Sequence, residues 1–404
     1  MRLSRFACSL TLLCSTFVVI ASGQLANGKL QIHHIDMGQG DSAVMITPGG
    51  TVVMFDIGRD VAKKKDCNSE IDYLDQLGVK TINYLFVSHY HYDHIDCVPE
   101  VLGRFPLQGY SYDRGTDQVE PKTATYRNYV KAVGSHRKTV KPGDQFKLES
   151  GATAVTLTVL SSSGWYKDSN DLKQVKTTDE NDLSVSVLVS FGAFREEIGG
   201  DMSGEGTSTY QDVESYVAKS AVPLDVYKVH HHCSSHSSNT TWLQATTPTV
   251  AVISTGDGNV YRHPAEDCLS RLHEADIKRV YWTEKGAGAA PSVNDVIGGN
   301  IRIEVPLNAK EFTVTYADSA TEAFNIKADI PDTTAEHNAS SVAPSNAAVT
   351  EPKFAWSVNS DLYHYYDCPA VQSISKNNLR TGDNPPPGKK PSSCVTRRDN
   401  SGNN

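Results

Sequence analysis

The chain has 404 residues, 39% of them hydrophobic and 21% charged, and a formal net charge of −9. This is an ordinary composition for a soluble globular protein with a large core and two or three domains. From Lys353 onward seven basic residues face four aspartates, so the tail carries +3 and residues 24–352 about −14, a balance that argues against tight, nonspecific binding of phosphate backbones.

In chain order, Met1 to Gly23 places Arg2 and Arg5 before an apolar stretch and ends on Ala21-Ser22-Gly23. The pattern predicts a secretory signal peptide over 1–23, cut before Gln24, and no later segment is apolar enough to span a bilayer. The mature chain is expected outside the cytosol, extracellular or periplasmic. Six cysteines follow the signal, an even number that suggests disulfides in an exported protein. The expected pairs are Cys67–Cys97, Cys233–Cys268 and Cys368–Cys394; a free Cys233 thiol able to bind metal is the alternative. Asn239-Thr240-Thr241 and Asn338-Ala339-Ser340 match the N-glycosylation pattern.

Alternating and apolar runs predict strands at Leu30 to Ile35, Ser42 to Ile46, Thr51 to Asp56 and Tyr84 to Val87, and helices at Ile71 to Leu77 and Val98 to Phe105. Residues 161–180 are polar and read as a loop bordering the site. Further strands are predicted at Ala154 to Leu160, Ser184 to Phe191, Val226 to Val229 and Val250 to Ser254, and helices at Tyr210 to Ser220 and Ala265 to Glu274. Sheets with helices outside them follow, an α/β (α+β) protein. The main domain is placed at 24–331. Residues 332–352, rich in Thr, Ala, Ser, Asn and Pro, read as a linker to a small Tyr/His/Cys module at 353–404.

The chemistry concentrates in Ser88-His89-Tyr90-His91-Tyr92-Asp93-His94, three imidazoles and a carboxylate after the apolar run Tyr84-Leu85-Phe86-Val87. His89 and His91 can turn toward one point while Asp93 and His94 reach a second, which suits two neighbouring metal ions. Asp56 ends a strand before Gly58, Asp201 follows Gly200, His230-His231-His232 closes another strand, and His263 precedes Pro264.

The order of these segments resembles the metallo-β-lactamase fold, and within it the branch that includes the hydrolase domain of the ComEC competence proteins. The resemblance spans about residues 30–305. It is carried by Ile35 to Ser42, Phe55-Asp56-Ile57-Gly58, Ser88 to His94, Asn181-Asp182-Leu183-Ser184, Gly200-Asp201, Lys228 to His232, Asn259 to Pro264 and Tyr281-Trp282-Thr283. It implies an αββα sandwich and two divalent cations, zinc first and manganese second. His89 and His91 would hold one metal, Asp93, His94 and His231 the other, and Asp201 would bridge them. Asp93, His232 and His263 would serve catalysis, with His263 as general acid or oxyanion holder, and Asp41, Asp56 and Asn181 would support. The ligand among His230, His231 and His232 stays open at this point. Glycine is usual in the family where Cys233 stands.

The implied function is hydrolysis by metal-bound hydroxide, with phosphodiesters, nucleic acid among them, as the leading substrate class. An esterase, lactonase or β-lactamase on the same metals is the alternative, as is a non-catalytic secreted binding protein. The partner is a small-molecule or phosphodiester substrate. The tail, with His364, Cys368 and Cys394, resembles a small module appended to some secreted nucleases and hydrolases.

Overall fold

The structure, a computed structural model, describes residues 25–60, 66–317 and 319–327, and in the tail 354–358, 360–365, 371, 378–382 and 385–392. The expected signal peptide, the linker, Asn338 and the Cys368–Cys394 pair lie outside these residues. By contacts the chain divides into two units, Met1–Asp329 and Ile330–Asn404. In the second, Leu379–Gly382, Phe354–Ser357, Leu362–Tyr365 and Lys390–Pro391 form one small sheet in that order.

The first unit is built on two mixed sheets. Across the first, the strands run Ala320–Asn325, Glu311–Tyr316, Ile301–Pro306, Lys29–His34, Ser42–Ile46, Val52–Ile57, Tyr84–Phe86, Ser111–Asp113 and Arg137–Thr139. The second runs Asp171–Gln174, Trp165–Asp168, Val155–Ser162, Ser186–Phe191, Phe194–Ile198, Val226–Lys228, Val250–Ile253, Arg279–Trp282 and Asp295–Ile297, with Gln145–Leu148 paired to Val155–Ser162.

Alternation along the strands makes the layers. Leu30, Ile32, Met45, Val53 and Phe55 of the first sheet share a core with Leu157, Val187, Val189, Val226 and Val252 of the second. Val44, Met54 and Leu85 point the other way, against the helices Cys67–Leu77, Val98–Arg104 and Ala124–Val133. Tyr227, Ala251 and Val280 pack outward beside Trp242 and Leu269 of the helices Thr240–Thr246 and Glu266–Glu274. Helix, sheet, sheet, helix is therefore the order of layers.

Three differences from the sequence reading have local causes. Residues 161–180 are largely strand: Trp165–Asp168 and Asp171–Gln174 form a hairpin, polar because it lies at the edge of its sheet with Asp171, Leu172 and Lys173 exposed. The expected helix over 210–220 shrinks to Glu214–Val217 and a 3-10 turn, Ala218–Ser220. The hydroxyl of Thr207 accepts from Tyr210 N–H and the carboxylate of Asp182 from Gln211 N–H, drawing that stretch out of helical geometry. Helix Ala124–Val133, capped by Thr123, was not expected; it buries Tyr126, Tyr129 and Val133.

Cys67–Cys97 and Cys233–Cys268 are bonded. Asn239 is spent as a helix cap: its Oδ1 accepts from Trp242 N–H at 2.8 Å, and its Nδ2 donates to Gly204 O, Asp212 Oδ1 and Ser215 Oγ, each at 2.9 Å. No helix among the described residues is long and apolar enough to cross a membrane.

Glu70 is wholly buried in the first helix, accepting from Ser42 Oγ at 2.5 Å, and burial pushes its carboxyl up to about 8 against that hydrogen bond. The folded protein therefore keeps a proton that the unfolded chain releases near pH 4.5, so this group's contribution to stability falls as pH rises to about 8. Glu70→Gln is expected to flatten that decline and raise the melting temperature at pH 8, which thermal unfolding across the pH range would check.

Candidate metal centre

Apart from Asn181, which lies in the 3-10 turn Asn181–Leu183 before Ser186–Phe191, the site residues cluster at the carboxyl ends of strands. Asp56 lies in Val52–Ile57; the His89 to His94 segment follows Tyr84–Phe86; Asp201 follows Phe194–Ile198; the triple histidine follows Val226–Lys228; and His263 lies in the loop after Val250–Ile253. Val52–Ile57 runs parallel to Tyr84–Phe86, and Phe194–Ile198, Val226–Lys228 and Val250–Ile253 run parallel side by side, the arrangement that collects loops at one edge of an open sheet. Close approach is required there: a Cβ on Gly58 would lie 1.6 Å from Asp93 O, and one on Gly200 would lie 2.6 Å from Ser88 Cβ.

Asp201 Oδ2 is the focus. His94 Nε2 lies 3.3 Å from it, His232 Nε2 3.7 Å, His231 Nε2 3.8 Å and His89 Nε2 3.9 Å. Ligand atoms of Asp93, His94, Asp201 and His232 all come within 4.8 Å of one another. On the other side of Asp201, His89 Nε2 and His91 Nδ1 stand 3.0 Å apart, and Asn181 Nδ2 lies 3.4 Å from His231 Nε2. The structure thus places His232, expected to serve catalysis, with Asp93 and His94, while His231, expected there, faces Asp201 beside Asn181. The reason is the backbone, since His231 and His232 both have positive φ, 49° and 52°. His230 turns away, held between Glu214 Oε1 at 2.7 Å and Glu197 Oε1 at 3.2 Å.

Hydrogen bonds fix the rings. Asp56 Oδ2 takes His94 Nδ1 at 2.8 Å and Ser88 Oγ at 2.6 Å, and the carbonyl of Ser254 takes His232 Nδ1 at 2.9 Å. Both imidazoles therefore aim a bare Nε2 at the carboxylates, the tautomer a metal requires. Below, Asp41 binds Lys228 Nζ at 2.6 Å and Ser254 Oγ at 3.0 Å, a buried pair that braces the two sheets. Asp96 pairs with Arg59 at 2.7 Å and turns away from the cluster. Sequence reasoning missed Ser88, Ser254, Gln39, Lys228 and the two glutamates on His230; apart from Ser88, Gln39 and Lys228, which fall within motifs, these had no sequence signal.

Burial works against the charge on Asp201, but the facing His94, His231 and His232 outweigh it and hold its carboxyl well below the usual range. Burial likewise opposes a charged His94, and Asp201 and Asp56 override it, lifting that imidazole well above its usual value. The pocket thus demands positive charge, as a proton or as a cation. His89 is driven well down, and His231 to about 4, by burial first. His94 Nε2, His232 Nε2 and Asp201 Oδ1 are buried without a hydrogen-bond partner. Nitrogen and carboxylate donors left orphaned around one point fit divalent cations.

The cluster floors a cleft of ≈ 430 Å³ lined by His91, Asp93, Asn181, Asp201, His231, His232 and His263, with Tyr92, Tyr210 and Tyr261 among its walls. Residues 37–164 match the Metallo-beta-lactamase superfamily. The chain carries a metallo-β-lactamase domain. That superfamily is one of metal-dependent hydrolases, and the layered sheets are its fold. ComE operon protein 3 of Bacillus subtilis is 23% identical over 323 residues, 75% of this chain and 38% of that protein. Recombination protein 2 of Haemophilus influenzae is 24% identical over 274 residues, 67% of this chain and 30% of that one. The chain spans about a third of the length of the curated relatives it matches. Among solved structures, the metallo-β-lactamase-fold protein YhfI from Bacillus subtilis aligns with TM-score 0.36 and 12% identity, covering 64% of this chain and 98% of that one.

Gly58→Ala forces a methyl group into the Asp93 carbonyl, so the His89 to His94 loop must shift; the expected cost is about 1–3 kcal/mol in thermal or denaturant unfolding.

Proposed function

We propose that the protein is a secreted, binuclear metal-dependent hydrolase of phosphodiesters. The observation that carries this reading is the single carboxylate oxygen of Asp201 faced by imidazoles of both metal half-sites at 3.3–3.9 Å. Asp93, His94 and His232 would hold one cation, His89, His91 and His231 the other, with Asn181 beside the latter and Asp201 shared. Two bound divalent cations, zinc or manganese, supply Lewis-acid activation of water and neutralise charge on both the attacking and leaving oxygens of a phosphodiester.

The protein's own groups do the rest. Asp56 and Ser254 hold His94 and His232 in the ligating tautomer. Gln39 Oε1 accepts from Gly256 N–H at 3.2 Å, which turns its amide nitrogen to His263 Nδ1 at 3.4 Å and leaves the ring proton on Nε2. Burial, then the neighbouring His232 and His231, push His263 down to about 3, so it is neutral at pH 7. It therefore acts as a hydrogen-bond donor to the developing oxyanion rather than as an imidazolium acid. The names of two relatives, Recombination protein 2 and Competence protein ComA, are consistent with a nucleic-acid phosphodiester as substrate. Export is supported by the basic and apolar Met1 to Gly23 stretch and by the disulfides of the catalytic unit. Mass spectrometry of protein recovered outside the cytosol should find Gln24 at its amino terminus.

Metal-loaded protein is expected to hydrolyse bis-(p-nitrophenyl) phosphate, to lose turnover with EDTA and regain it with zinc or manganese. Turnover of a chromogenic cephalosporin or lactone alone would refute the phosphodiester assignment. His91→Ala and Asp201→Ala should lose bound metal, read by elemental analysis, along with turnover. His263→Ala should keep its metal and lose ~10²–10³-fold in kcat.

A further inference from the structure

We propose that the cleft beside the metal centre contains a subsite for an unpaired nucleobase, walled by Tyr261 and Tyr210. The inference rests on the phosphodiesterase reading above and names what one ester arm carries. Tyr261 stands with its ring 26° from that of His263, centroids 5.8 Å apart, and its hydroxyl meets that of Tyr92 at 2.8 Å. Tyr210 stacks on His236 at 3.9 Å and 19°. His231 lies between the two walls, 5.0 Å from the His236 ring and 5.8 Å from that of His263.

Buried tyrosines are ordinary core residues, but these line an open cleft. Tyr261 is 51% exposed and its neighbour Val260 76%, so beyond its contacts with His263 and Tyr92 the Tyr261 ring keeps apolar surface open to solvent. Aromatic faces presented to a cleft are stacking platforms, and every base has a matching π-face. Ser234, Ser235, Gln39 and Asn181 also line the cleft and offer uncharged hydrogen-bonding groups to a base edge.

None of the lining residues is Lys or Arg. Beyond the metals the cleft therefore has no charge with which to follow a polyanionic backbone, and the surrounding body is acidic. A volume of ≈ 430 Å³ lies toward the small end of ligand pockets, about 300–1,000 Å³. A base within a duplex is stacked and paired and cannot enter such a space without being extruded. The fitting substrate is a nucleotide unit at a strand end, in a single strand or in a dinucleotide.

The test compares thymidine 5′-(p-nitrophenyl phosphate) with methyl p-nitrophenyl phosphate, which share a leaving group and differ in the nucleoside. Metal-loaded wild type is expected to favour the nucleoside ester by ~5-fold or more in kcat/KM, chiefly through KM. Tyr261→Ala should bring that ratio toward one, whereas Tyr261→Phe, which keeps the ring and loses the hydroxyl, should preserve it. Equal kcat/KM for the two esters, or a ratio untouched by Tyr261→Ala, overturns the subsite and leaves the phosphodiesterase reading standing. Failure to turn over either ester defeats that reading and the subsite with it. Cleavage of a blunt duplex oligonucleotide internally and as fast as its single strand would overturn the requirement for an unpaired base.

Discussion

A buried negative charge at Asp201 organises this protein. An ionised carboxylate at 2% exposure is tenable only where positive charge or strong donors surround it, and the fold answers with imidazoles from two sheets. Ser184 Oγ accepts from Asp201 N–H at 3.0 Å, so the backbone on which the charge sits is itself anchored. Beneath it, Asp56 and the Asp41–Lys228 pair alternate acid and base down into the core. Removing one member leaves its neighbour buried and unpaired, which costs more than the contact itself is worth.

The work of supplying ligands is divided. The first sheet delivers Asp56, His89, His91, Asp93 and His94; the second delivers Asn181, Asp201, His231, His232 and His263. No single supersecondary unit holds a complete set, so the donors converge only when both sheets have packed through their shared core. Cation binding at this centre would be coupled to folding of the unit for that reason.

Much of this was legible in the sequence, and what was not has identifiable causes. The cluster His89 to His94 announces itself by composition and spacing after a buried strand, and the order of Asp56, Asp201, the triple histidine and His263 along the chain points to one fold. The partition among His230, His231 and His232 was not readable, because it depends on positive φ values that histidine seldom adopts and on Glu197 and Glu214, far away in sequence. Helix Ala124–Val133 hid because its buried face is built from two tyrosines, which read as polar punctuation. The hairpin at 165–174 hid because an edge strand needs little apolar content.

Cys233 has a φ of 61°, the third residue in succession with left-handed backbone after His231 and His232. Glycine, usual at this place in the family that the chain resembles, adopts that geometry freely, whereas a residue with a Cβ resists it. The bond to Cys268 ties the strained turn to the helix Glu266–Glu274, and Cys233 O also accepts from Ala265 N–H at 2.7 Å. The turn has exchanged conformational ease for a covalent tether, which makes the placement of its histidines contingent on the redox history of the newly made chain.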